Sequence, residues 1–390
     1  MLGIEGCCIH DGYLAFPNFP EALLSQRFFV YLLHTLKDHA EASARGLAQL
    51  NLNTDLVRSF PFGLPPLAEQ QRIVAKVDEL MALCDRLEAQ LQERDTRQAA
   101  LARAVLARFA DAPTPANLEL LFHDSFTITP ADLRKTILTL AVQGHLVPQD
   151  PNDEPSDILL KRLDQQRHRF AEAYKFRATA PAPIDEEATP FQLPQNWKWA
   201  RLTSLFNVVT DGDHLPPPKS DDGIAFLTIG NITTGKLDFS ETRFVSEEYF
   251  QDIAAFRRPC SGDILYTVVG ATYGRPALVD SDRPFCVQRH IAILKPATSI
   301  DVSFLVAVLK SPLVYDQATA STTGTAQPTI PLGALRNFLV PVPPLAEQRR
   351  IVAKVDQLMV LVDQWEAQLA ATRTTADHLL SALVAELTTT

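Results

Sequence analysis

Residues 65–91 and 343–369 are near copies of one another, with 21 of 27 positions identical at an offset of 278 residues. The first copy opens Pro65-Pro66-Leu67-Ala68-Glu69-Gln70-Gln71-Arg72-Ile73-Val74-Ala75-Lys76-Val77-Asp78. The second opens Pro343-Pro344-Leu345-Ala346-Glu347-Gln348-Arg349-Arg350-Ile351-Val352-Ala353-Lys354-Val355-Asp356. A repeat this close places two similar units in one chain. Each copy also reads as the head of a long helix. Paired prolines suit a first turn, where a missing N–H costs little, and Glu69 complements the positive end of the helix dipole. Apolar residues then alternate spacings of four and three, through Ile73, Val77, Leu80, Cys84, Leu87 and Leu91 in the first copy. The second runs through Ile351, Val355, Leu358, Val362, Trp365 and Leu369. This is a heptad seam. Each helix would extend for about 45 residues, or roughly 65 Å. A lone rod with an apolar stripe is unstable, so the two copies are expected to pack on each other. The alternative is that each stripe packs on its own globular domain.

The offset persists upstream, where Gly46 matches Gly324, Gln49 matches Gln327, Arg58 matches Arg336 and Phe60 matches Phe338. Residues 1–64 therefore correspond to the closing part of the domain that precedes the second helix. Five segments follow: a C-terminal remnant of a first domain at 1–64, a first spacer helix at 65–110, a connector at 111–190, a complete domain at 191–342 and a second spacer helix at 343–390. In the connector, Thr129 and Pro130 open a helix that Gly144 closes, and Ser156 is expected to cap a second one ending near Phe176. Residues 179–190, rich in Pro, Ala and acid, read as a linker. The complete domain has short apolar runs broken by Gly, Pro, Asn and Asp. Strands are expected at 205–209, 225–229, 263–269, 276–279 and 291–294, with helices at 246–253 and 302–310. The fold class is α+β, a globular domain joined to two long helices.

The chain carries 36 Lys+Arg against 46 Asp+Glu, a formal net charge of −10, so bulk charge does not point to nucleic acid. Within 191–342 the balance is 13 to 14, and the surplus acid lies elsewhere. The five cysteines are scattered and form no metal-ligand spacing. No leader-like start and no apolar run long enough for a membrane span is present, and a cytoplasmic location is expected. Residues 270–275 resemble a phosphate loop but lack its Gly-Lys-Ser/Thr end. No dinucleotide fingerprint and no Asn-Pro-Pro-aromatic methyltransferase tetrad occurs. Asp211, Asp213 and His214 could ligate a metal, but an Asx-rich turn explains them as well. Neither a catalytic nor a metal site is expected.

Binding groups are easier to find. His214 and Lys219 flank a triple proline. Thr272, Tyr273 and Arg275 sit in a turn between two expected strands, with glycines that allow close backbone approach. Gln288, Arg289 and His290 precede another strand, and Thr322, Thr323, Thr325 and Gln327 lie in a hydroxyl-dense loop. Such groups contact phosphates, and Gln, Asn and Arg read base edges.

The repeated helix head resembles the specificity subunit of type I restriction–modification systems. The resemblance extends to the connector at 140–155, to Phe226-Leu227-Thr228-Ile229-Gly230-Asn231-Ile232 and to Thr323-Gly324-Thr325-Ala326-Gln327-Pro328. It brings Asn231 into the candidate DNA-contact set. It implies that two target-recognition domains each read half of a bipartite sequence in double-stranded DNA. It also implies that the two long helices pack as an antiparallel coiled coil and set the spacing between those domains. Methyltransferase subunits would dock on the helices and use S-adenosylmethionine, and a restriction subunit, joined indirectly, would use ATP and magnesium. No cofactor is expected in this chain. The first recognition domain departs from the pattern, because only its tail is recognisable. The missing part would be on another chain, lost, or replaced by self-association of two copies. Two other readings remain: an interaction scaffold that binds the methyltransferase without reading DNA, and a metal nuclease at Asp211, Asp213 and His214.

Overall fold

A computed structural model describes residues 16, 19–37, 54–112, 114–121, 128–178, 180–185, 187, 189–213, 220–324 and 327–389. The chain divides into two compact units, 1–98 and 99–390. In the first unit, α1 (Gln26–Thr35) begins at Ser25, whose hydroxyl accepts the Phe28 N–H. A five-residue helix, α2 (Thr54–Arg58), follows, then α3 (Leu67–Asp111), whose last residues enter the second unit. Leu24, Phe28 and Phe29 form a small core with Ile73 and Val74 at the head of α3. Gln70 of the repeat is fully buried there. Its Nε2 donates to the carbonyls of Pro65 and Leu23, each at 2.9 Å, and its Oε1 accepts the Ser25 N–H at 2.8 Å.

The second unit starts with α4 (Pro115–Leu120), α5 (Pro130–Gln143) and α6 (Ser156–Ala173). As the sequence indicates, the Thr129 side chain caps α5 and Gly144 ends it at φ 76°. A side chain at Gly144 would also collide with Pro194, 2.5 Å from where its Cβ would stand. Ser156 departs from expectation. It is the first helical residue, Pro155 takes the cap position, and the buried Ser156 hydroxyl has no hydrogen-bond partner among the described residues.

The mixed domain follows. Its strands are β1 (Lys198–Arg201), β2 (Phe206–Asp211), β3 (Ile224–Leu227), β4 (Arg243–Val245), β5 (Ile264–Thr267), β6 (Pro276–Leu278), β7 (Phe285–Val287), β8 (Ile291–Pro296) and β9 (Leu339–Val342). Helices α7 (Glu247–Asp252), α8 (Val302–Lys310), α9 (Pro312–Ala320) and α10 (Leu332–Arg336) are interspersed, and α11 (Leu345–Thr389) closes the chain. The five strands and two helices expected from sequence are all present, so the fold is α+β. Strands β1, β4, β7 and β9 and helices α9 and α10 were not foreseen. The strands make an antiparallel four-stranded sheet, β2-β8-β5-β6, a three-stranded sheet, β4-β3-β7, and a β1-β9 pair. β3 and β7 run parallel. One large core joins the four-stranded sheet to α5, α6, α8 and the head of α11, and a smaller one fills the space between the two larger sheets.

Gln348, also fully buried, repeats the role of Gln70. Its Nε2 donates to the Pro343 carbonyl at 2.9 Å and its Oε1 accepts the N–H of Asp301, the cap residue of α8, at 3.0 Å. Here the preceding motif residue is also enclosed. Glu347 accepts from Trp197 Nε1 at 2.9 Å and Gln149 Nε2 at 2.6 Å, and Arg350 binds Asp153. Burial raises the Glu347 pKa above its usual range, and the two donors partly offset that shift.

In the second unit, Ile351, Val355, Leu358 and Val362 are buried, where α11 packs on α5 and α8, and Trp365 is half-buried against the same core. That half of the seam therefore lies on its own globular domain. Leu369 is half-buried, and the apolar residues from Ala370 to Ala385 are exposed. On α3, Ile73 and Val77 are half-buried while Leu80, Cys84, Leu87 and Leu91 are exposed. Among the described residues, no helix is long and apolar enough to cross a membrane.

Replacing Gln348 with Ala leaves the Asp301 N–H and the Pro343 carbonyl without partners in a buried setting. We expect a loss of about 1–3 kcal/mol of stability, read by denaturant unfolding of the full chain.

Candidate nucleic-acid interface

An antiparallel sheet brings alternate strand ends to one edge. The registers Asp211↔Ala292, Thr267↔Ile291 and Tyr266↔Pro276 set the end of β2, the start of β8, the end of β5 and the start of β6 side by side. The 270–275 turn and the 288–290 turn therefore share this edge. The 321–327 loop joins them through the Gly270 N–H on the Pro328 carbonyl at 2.9 Å and a bridge between Val269 and Thr329. The Val268 N–H, donating to the His290 carbonyl at 3.1 Å, ties in the third segment.

Buried Thr267 organises the first turn. Its hydroxyl donates to the Thr272 carbonyl at 2.6 Å and accepts the Arg275 N–H at 3.0 Å. Gly270 and Gly274 take φ of 86° and 82°, a region that disfavours side chains. Arg275 is exposed, with one guanidinium nitrogen fixed by the Thr233 carbonyl at 2.9 Å. Tyr273 stacks on Tyr315 of α9, with centroids 5.7 Å apart and planes 9° from parallel, and its hydroxyl meets Thr319 Oγ1 at 3.0 Å. Beneath them Tyr266 is fully buried, its hydroxyl without a partner, and burial pushes its pKa up.

In the other segments, Thr322 and Thr323 spend their hydroxyls on the carbonyls of Thr319 and Thr329. The side chain of Gln327 is exposed. Gln288 is half-buried and Arg289 exposed, with Arg289 Nε donating to His290 Nε2 at 3.2 Å. The structure thus brings Thr272, Tyr273, Arg275, Gln288, Arg289, His290, Thr322, Thr323 and Gln327 to one edge. His214, Lys219 and Thr325 lie outside the described residues.

Asn231 is a correction. Its Oδ1 accepts from the Thr228 N–H and hydroxyl, and its Nδ2 donates to the carbonyls of Asp238 and Glu241. With both ends of the amide spent and only 7% exposed, it holds a loop rather than presenting its amide at the surface. Sequence reading also missed Tyr315. Its signal was faint, a lone aromatic in an unforeseen helix, and only the stack on Tyr273 marks it.

The two carboxylates of the metal reading point to other partners. Asp211 is ion-paired with Arg257 at 2.8 Å, and Asp213 accepts the Tyr249 hydroxyl at 2.6 Å. Among the described residues, no group of three His, Cys, Asp or Glu side chains could hold a metal. Gly212 between them has a packing reason, since a Cβ there would stand 2.0 Å from the Val287 carbonyl oxygen.

A family model described as the type I restriction modification DNA specificity domain matches residues 6–94 and 194–371, more than half of the chain. The EcoAI type I restriction enzyme specificity subunit of Escherichia coli is 30% identical over 339 residues, covering 83% of this chain and 57% of that protein. The corresponding EcoEI subunit is 30% identical over 349 residues, covering 83% and 58%. The chain thus spans less than two thirds of the length of these curated relatives. A solved HsdS subunit from Thermoanaerobacter tengcongensis aligns at 20% identity and a TM-score of 0.36, over 89% of this chain and 66% of that one. A chain solved in work on the assembly and conformational transition of the type I R-M system aligns at 21% and 0.48, over 90% and 68%.

Burial, with the nearby Arg289 charge, holds the His290 pKa below its ordinary 6.5. The unfolded chain therefore takes up this proton at higher pH than the folded one. The stabilising contribution is present above 6.5 and is lost as pH falls through the folded pKa. His290→Gln should flatten the dependence of stability on pH between about pH 5 and 7, measured by chemical denaturation across that range.

Proposed function

Because the chain belongs to the type I restriction modification DNA specificity family, we propose that it is a non-catalytic DNA-reading subunit whose complete recognition domain is residues 191–342. The observation that carries this reading is the gathering of three polar segments at one edge of the four-stranded sheet. Arg275 and Gln327 supply donor groups suited to base edges and phosphates. Tyr273 and Tyr315 supply a rigid aromatic plate beside them. A near-neutral domain draws part of its electrostatic affinity from partner subunits that share the duplex.

Exposed Leu379, Leu380, Leu383 and Val384 on α11, 51–67% accessible, support the docking of methyltransferase subunits along the helices, since apolar patches of this kind mark interaction surfaces. The exposed seam positions on α3, from Leu80 to Leu91, support a helical partner there. S-adenosylmethionine, ATP and magnesium chemistry is assigned to the methyltransferase and restriction subunits.

The test is binding of the chain, with its methyltransferase partner, to pools of randomised duplexes. A preferred half-site is expected, with affinity falling as salt rises. Arg275→Ala should cost about 1–3 kcal/mol of target binding, and Gln327→Ala should relax selectivity at one position of the site. No preference among duplexes, with co-purification intact, would replace DNA reading by the scaffold reading.

A further inference from the structure

Beside edge strand β2 lies a cavity of about 140 Å³, bounded by α6, the segment after it, β2 and α10. That is roughly ten times the ~10–15 Å³ that a single water needs. Three arginines line it, Arg167, Arg177 and Arg336, and among the described residues no carboxylate does. This is unexpected in a chain with ten more acidic than basic residues. Arg167 is buried and paired with Asp164, so its charge is fixed in place. Arg336 is half-buried. Its Nε and Nη2 both donate to the Val209 carbonyl, at 3.1 and 2.7 Å, which sets the plane of the guanidinium and leaves Nη1 uncommitted. Among the described residues, neither Arg177 nor Arg336 has a carboxylate partner. Phe176 and Phe256, with ring centroids 5.1 Å apart, wall one side and lower the local dielectric. Half-buried Arg336 is partly desolvated with no carboxylate partner, which is costly, and an oxyanion placed between it and exposed Arg177 offsets that cost with charge-assisted hydrogen bonds.

We propose that this cavity is a phosphate-binding site, distinct from the base-reading edge. Arg177 and Arg336 donate to the phosphate oxygens, and Arg167, held by Asp164, forms the rear wall. The same chemistry serves a free phosphate compound or a phosphodiester of the DNA backbone. The cavity includes Thr210, next to Asp211, where β2 runs up to the proposed reading edge.

The full chain is titrated with inorganic phosphate by calorimetry at low ionic strength, and separately with a duplex of arbitrary sequence. Wild type, Arg177→Gln, Arg336→Gln and a control of equal charge change, Arg349→Gln on the exposed face of α11, are compared. Arg177 is exposed and makes no bond on which folding depends, so its variant stays informative if Arg336→Gln is unstable. For a free phosphate ligand, saturable one-to-one binding is expected, weakened at least tenfold in both cavity variants and unchanged in the control. For a backbone phosphate, duplex affinity drops several-fold in the cavity variants for any sequence, with a shallower salt dependence and no such drop in the control. The proposal is overturned if phosphate binds wild type and cavity variants alike, if the control loses as much as they do, or if neither titration distinguishes Arg177→Gln from wild type.

Discussion

The carboxamide of the motif glutamine fixes both units. A helix that starts after two prolines leaves the carbonyl of the first proline and the cap of an earlier helix close together, with one acceptor and one donor to satisfy. Glutamine carries both complementary groups on a side chain long enough to span them. Gln70 joins the Pro65 carbonyl to the Ser25 N–H, and Gln348 joins the Pro343 carbonyl to the Asp301 N–H. A buried amide with every group paired is specific in a way that an apolar contact is not. It sets where each long helix leaves its domain. The second unit adds Glu347, held by Trp197 and Gln149, and Arg350, held by Asp153. These bonds dock the connector onto the same helix head. In the first unit the corresponding Glu69 and Arg72 pair with each other at the surface.

The four-stranded sheet has two unlike ends. At one, Lys295 and Asp263 form a buried ion pair that also holds the Arg258 carbonyl and Cys260. Such a pair contributes little net stability but is costly to break. It ties the end of β8 to the residue before β5. At the other end, the strands run out into turns whose backbones are tied to one another while Arg275, Arg289 and Gln327 stay exposed. Rigid turns with exposed side chains suit the reading role proposed for this end, because fewer degrees of freedom are lost on binding.

The strands legible in the sequence were those in short, densely apolar runs, such as Ile291 to Leu294. Those missed were short or disguised. β7 has three residues and finds its register only beside β3, and β9 contains Pro341, which argues against a strand unless the partner is known. Asn231 shows the same limit for function. Asn231 lies just past the strand expected at 225–229, and nothing local says that its amide will close a capping box and bond two loop carbonyls. Tyr315 was invisible for the converse reason, since its relation to Tyr273 spans 42 residues of chain.

The sequence by itself determined that two units exist, that each ends in a long helix, and which family the helix head belongs to, because those properties are written in a repeat and a period. The tertiary structure decided where the apolar seam goes. The first half of the α11 stripe is consumed by α5 and α8 in the same domain, and only the later part is exposed. A heptad states that an apolar partner is required but does not say which surface supplies it. The structure also decided which polar residues are free, because a hydrogen bond depends on what folds beside it and not on what precedes it in the chain.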